Sequence, residues 1–181
     1  FIVFALTQIL GVGTVALVSH AVGRKDSAEA NHVFNQSVAL AALCAGATLA
    51  GAVLGARLFM RALGADEETV SAGVTYLRWF APGLALQFAL VAMGSALRGT
   101  GVVKPTMVVQ AGTVLLNIVL APILIAGWGT GHPLGVAGAA LASTFAIAAG
   151  VALMAFYFRR LEHYVAFDRS QWRPRPATWR R

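Results

Sequence analysis

Charge is what this sequence has least of. Residues 105–158 form a run of 54 without one Asp, Glu, Lys or Arg. Charged side chains make up 12% of the whole 181-residue chain, about half the share of a soluble domain. No Asp, Glu or Lys lies deep in any apolar run, so the groups on which intramembrane proton relays normally depend are missing. Cysteine is reduced to Cys44, inside an apolar run, which excludes an intrachain disulfide and a cysteine-based metal site. His20, His32, His132 and His163 are too scattered to form a recognisable ligand pair, and no metal is expected. The chain has no G-x-S-x-G, P-loop or H-E-x-x-H pattern, so neither an enzyme nor a cofactor is expected. Its apolar opening, FIVFALTQIL, has no basic segment before it and is not a signal peptide.

What is present is hydrophobicity, at 58% of residues. A single membrane-spanning helix takes about 20 residues, so the uncharged run alone must cross a bilayer twice. Its break is GWGTGHPLG, residues 127–135, rich in Gly and Pro signals. Along the chain five spans are expected, at about 1–22, 33–56, 79–97, 105–125 and 134–158. Continuous runs of this length predict helices, because a barrel would show alternating segments of about ten residues. The fold class is therefore all-α, a polytopic helical membrane protein in contact with the lipid bilayer.

Short connections carry the punctuation. Asp66, followed by Glu67 and Glu68, reads as an N-cap with acidic residues against the positive end of the helix dipole. Pro105 suits a first helical turn, while Pro82 and Pro122 lie inside expected helices and predict bends.

Net charge is +7, and residues 159–181 hold seven of the fourteen Lys and Arg. A basic flank beside a span explains this better than nucleic-acid binding. With the tail, one side of the membrane carries eleven Lys and Arg and the other three, Arg57, Arg61 and Arg78. That asymmetry places the tail in the cytoplasm of a cell-membrane protein. Phe1 then lies toward the outside, and a further helix before it is expected, making six spans.

Small residues suggest how the spans meet. Gly138, Ala142, Ala146 and Gly150 recur every fourth position, and GAVLG, residues 51–55, is a GxxxG match. Both patterns allow close helix approach in lipid. Polar residues are few. Gln110, Thr113, Asn117 and Ala121 share one face of the fourth span, which predicts either interhelical bonds or the lining of a wet cavity. Gln36, Gln87, Ser143 and Thr144 are isolated polar groups in other spans, and a packing role suits isolated hydroxyls that bond their own helix.

Four stretches together resemble a known family. GVGTVALVSHAVGRKDSAEANHVFNQSVAL, LGADEETVSAGVTYLRWFAPG, ALRGTGVVKPT and LNIVLAPILIAGWGTGHPLGVAGAALAST occur in this order, and they resemble helices two to six of multidrug and toxic compound extrusion transporters. The resemblance implies that residues 1–158 form five helices of a six-helix lobe. Residues 159–181 would be a basic cytoplasmic linker toward a second lobe, a partner within the same carrier. It further implies secondary active efflux of small organic solutes, often cationic, coupled to Na⁺ or H⁺. A lipid-linked oligosaccharide flippase of the same superfamily, or a product inactive by itself, are the alternatives. Asn117 matches an Asn of the family, and with Gln110, Thr113, Gln36 and Ser143 it is expected to line the substrate and cation cavity. Two positions depart from the pattern: Ala121 and Val102 stand where many members carry Asp.

Overall fold

The computed structural model describes residues 2–64, 66–128, 131, 133–160, 165–168 and 171–172. Within them lie five helices: α1 (Ile2–Gly23), α2 (Ser27–Ala62), α3 (Glu67–Gly99), α4 (Lys104–Ala126) and α5 (Gly135–Arg160). All five are long and apolar enough to cross a membrane. Each closes its backbone hydrogen bonds within itself, as lipid requires.

Two helices exceed the expected spans. α2 has 36 residues and α3 has 33, against the roughly 20 that a bilayer core needs. α2 begins at Ser27 because Asp26 caps it, accepting the Glu29 N–H at 2.9 Å. Asp26 and Glu29 are the ends of a capping-box pattern. At the far end α2 and α3 project together, tied by Arg61 to Glu67 at 2.8 Å. Asp66 does occupy the N-cap of α3, in an extended conformation, but its side chain makes no cap bond. α3 and α4 both continue through their internal prolines, Pro82 and Pro122.

The turns at the end nearest Arg159 share one geometry. After α3, Gly101 N–H donates to the Arg98 carbonyl and Val102 N–H to the Leu97 carbonyl, with Gly101 at φ 85°. This double bond pattern is a Schellman stop, and its left-handed position favours glycine. After α1 the same pair of bonds forms, Lys25 to Val22 and Asp26 to Ala21, with Lys25 in the left-handed place at φ 58°.

α3 is the central helix. Of its most apolar window 56% is buried, against 6% for α4. α1 and α2 pack on one side of α3 and on each other, while α5 packs on another side and carries α4. The largest apolar cluster sits at the Arg159 end, with Phe34, Met93, Leu97, Met154 and Phe158. Val70, Val74 and Ala56 form a smaller cluster at the opposite end.

Glycines set the closest approaches. A Cβ on Gly99 would lie 2.7 Å from Val18 Cβ, so α1 rides directly on the end of α3. A Cβ on Gly83 would lie 2.9 Å from Thr144 Oγ1, and that hydroxyl donates to the Trp79 carbonyl at 2.9 Å. Gly138 faces the backbone carbonyl of Leu124, and Gly150 faces Thr113 Oγ1. Gly138, Ala142, Ala146 and Gly150 are all buried, so the four-residue stripe is the α5 packing face. The GAVLG match has no such role among the described residues, none of which lies within 4 Å of a Cβ at Gly51 or Gly55. The outward faces are large and apolar, as at Val108, Leu115, Ile118 and Phe156, which suits lipid contact.

Candidate functional site

α1 and α4 share no close backbone contact. Each leans on the α3–α5 core from its own side, and the space between them is a cleft of about 850 Å³. Leu84, Leu90 and Val91 of α3 and Met154 of α5 are among its apolar lining, with Val3 and Val12 of α1. Six lining residues are polar: Thr7, Gln8, Gln87, Arg98, Thr106 and Gln110.

The three glutamines come from three helices. None makes a hydrogen bond to another described residue. An unpaired amide facing hydrocarbon would cost several kcal/mol in a medium that cannot hydrogen-bond. Their convergence therefore marks this surface as wet, the setting in which polar groups on spanning helices normally occur. Thr7 is already occupied, donating to the Phe4 carbonyl at 2.7 Å.

Arg98 is the only charged residue among the described lining residues. One of its Nη atoms donates to Ser95 Oγ at 2.8 Å, and it forms no ion pair with a described residue. The rest of its guanidinium fork is free to meet solvent or solute. No acidic side chain lines the cleft among the described residues.

Of the five residues expected in a cavity, the structure brings Gln110 alone to the cleft. Thr113 turns back on its own helix, donating to the Val109 carbonyl at 2.8 Å, where Gly150 leaves room for it. Asn117 donates to Ser143 Oγ at 3.0 Å across the α4–α5 contact. Ala121 is half-buried. Gln36 lies fully buried on α2 and donates to the Gln171 carbonyl at 2.6 Å, well away from the cleft. The polar face of α4 thus divides, because α5 covers the Thr113–Asn117 side. In the sequence Gln87 is an isolated polar group, and Gln8, Thr7, Arg98 and Thr106 carry no site signal of their own. No sequence spacing links residues on three helices, although an unpaired Gln in an apolar run was itself a sign of a wet surface. Gly129, Ala65 and most of the basic tail, including residues 173–181, lie outside the described residues.

Residues 1–123 match the family model described as MatE. The chain belongs to the MatE family. A MatE relative from Bacillus subtilis (strain 168), described as "Probable multidrug resistance protein YoeA", is 27% identical over 173 residues, covering 94% of this chain and 37% of the relative. Among solved structures, the inward-facing conformation of a multidrug resistance MATE family transporter of the MOP superfamily is similar at a TM-score of 0.89 and 25% identity. It covers 98% of this chain and 40% of the transporter. The outward-facing conformation of such a transporter is similar at 0.87 and 26% identity, over 98% of this chain and 39% of that one. The MatE chain therefore spans about two fifths of the length of these relatives. The same five-helix unit fits both an inward-facing and an outward-facing carrier.

Proposed function

We propose that this MatE chain supplies one wall of the translocation pathway in a secondary active exporter of small organic solutes. The cleft between α1 and α4 carries that reading. It offers an apolar slope for the body of a solute and three unpaired amides for its polar groups. A second lobe facing the cleft would complete the chamber, in keeping with the greater length of the relatives. Alternating access then follows from rocking two lobes about a central site. The basic end, with Arg24, Lys25, Arg98, Lys104, Arg159 and Arg160, faces the cytoplasm under the positive-inside rule. Na⁺ or H⁺ drives export, and a carboxylate that accepts H⁺ would lie outside the described lining residues, none of which is acidic.

Arg98 favours a second reading. A cationic, unpaired guanidinium at the cleft suits a phosphate-bearing solute, such as the head of a lipid-linked oligosaccharide. The two readings separate in proteoliposomes holding a full-length carrier that contains this lobe. Gradient-driven efflux of ethidium is the result expected of an exporter of organic cations. Removing one unit charge at about 4 Å in a wet site alters binding by about 1 kcal/mol, favourably for a cation and unfavourably for an anion, so Arg98→Gln should raise the preference for cationic over anionic dyes about thirtyfold. Absence of gradient-dependent efflux, with headgroup-labelled anionic lipid crossing instead, would replace the exporter with the flippase.

A further inference from the structure

α2 and α5 are not neighbours in the bundle: both pack on α3 and their backbones do not approach each other. At the basic end they are nonetheless joined. Residues 165–168, with Gln171 and Trp172, lie across the start of α2 and form a strap.

The strap is held by side-chain amides in the manner of a sheet edge. Asn31 Oδ1 accepts the Ala166 N–H at 2.8 Å, and Asn35 Nδ2 donates to the Ala166 carbonyl at 2.9 Å. Asn35 Oδ1 accepts the Asp168 N–H at 2.8 Å and Trp172 Nε1–H at 2.9 Å. Its Nδ2 also donates to the Asn31 carbonyl at 2.9 Å. Two donors and two acceptor sites are all that an Asn side chain has, and Asn35 uses every one while fully buried. Gln36, one residue on, binds the Gln171 carbonyl at 2.6 Å. Beneath these bonds Phe34 of α2 stacks on Phe158 of α5, centroids 4.9 Å apart and 4° from parallel. Phe167 of the strap closes the trio against both rings, and Val165 is buried beside them.

We propose that the strap, clamped by Asn31, Asn35 and Gln36, ties the basic ends of α2 and α5 together and makes the five helices move as one body. Without it the α1–α2 side and the α4–α5 side are joined only through α3 and the single Phe34–Phe158 stack, and the cleft lies between them. Each side could then swing about α3 and the cleft would change width. A lobe that must rock as a unit needs that freedom removed, and the near-equal fit of this unit to inward- and outward-facing carriers accords with its removal. The mechanical role rests on the two-lobe reading, whereas the clamp itself does not.

The test uses the full 181-residue chain in lipid nanodiscs, in a Cys44→Ala background. Asn35→Asp keeps the size and acceptors of Asn35 but loses both donors and sets a carboxylate against the Ala166 and Asn31 carbonyls. Asn31→Ala removes the acceptor of the Ala166 N–H from a half-buried side chain and serves if the first variant does not fold. The amides of Ala166 and Asp168 should be protected from hydrogen exchange in the parent and exchange at least about tenfold faster in a folded variant. Spin labels at Ala28→Cys and Arg160→Cys, in the first turn of α2 and the last of α5, should give a narrow distance distribution that broadens in the same variant. Unprotected strap amides in the parent would overturn the clamp. Faster exchange with an unchanged distance distribution would overturn the rigid-body role and leave the two-lobe reading untouched.

Discussion

Gly138→Leu should leave little folded protein, while Gly51→Leu should fold like the parent. Both glycines belong to small-residue patterns that look alike in the sequence. A Cβ on Gly138 would meet the Leu124 carbonyl and lie 2.9 Å from the Ile125 amide nitrogen. Those are backbone atoms of α4, and the Leu134 N–H already bonds the Leu124 carbonyl at 3.1 Å, so neither helix can yield locally. Overpacking commonly costs about 1–3 kcal/mol, and more where a side chain meets fixed backbone. At Gly51 no described residue lies within 4 Å, and a leucine there adds to a lipid-facing surface. Thermal unfolding in detergent, followed by size-exclusion of a fluorescent fusion, compares the two. Equal loss of folded protein from both would mean that Gly51 is also a contact, made with something outside this chain.

Gln87→Leu and Gln110→Leu should each insert and fold normally, yet cut transport by a full-length carrier about tenfold. Each removes an unpaired amide from the cleft and adds apolar surface that a membrane helix accepts readily. The lost hydrogen bond to a solute is worth about 1.4 kcal/mol, which is tenfold in binding. Transport kinetics in proteoliposomes, at matched amounts of folded protein, read the effect. Parental rates in both variants would remove the glutamines from the pathway.

The spans were legible because lipid imposes one rule on every residue in it. A 54-residue run without charge has few other fates. The α5 stripe was legible for a related reason, since close packing in lipid selects small side chains at helical spacing. Helix length was less so. The apolar run alone puts the start of α2 near residue 33, because the Asp26 cap and the first turns that follow it are polar. The site was the hardest part. Spacing along α4 shows that Gln110, Thr113 and Asn117 share a face, but not which neighbour covers each part of it. α5 takes Thr113 and Asn117 through Gly150 and Ser143, and only Gln110, nearer the basic end, remains for the cleft. Its companions Gln8 and Gln87 come from helices far away in sequence, and their meeting depends on how α1 and α4 straddle α3. Asn35 was equally hidden, because its partners in the strap follow it by more than 130 residues.

The claim that the α1–α4 cleft holds the solute is tested most directly by substrate protection. Single cysteines replace Gln87, Gln110 and Asn117 in turn, in a Cys44→Ala full-length carrier that contains this lobe. A polar maleimide should label positions 87 and 110, and a saturating transported solute should slow that labelling about tenfold. Position 117, covered by α5 through Ser143, should label slowly with or without solute. Solute-protected labelling at 117, with 87 and 110 indifferent to solute, would move the pathway to the α4–α5 face and contradict the account.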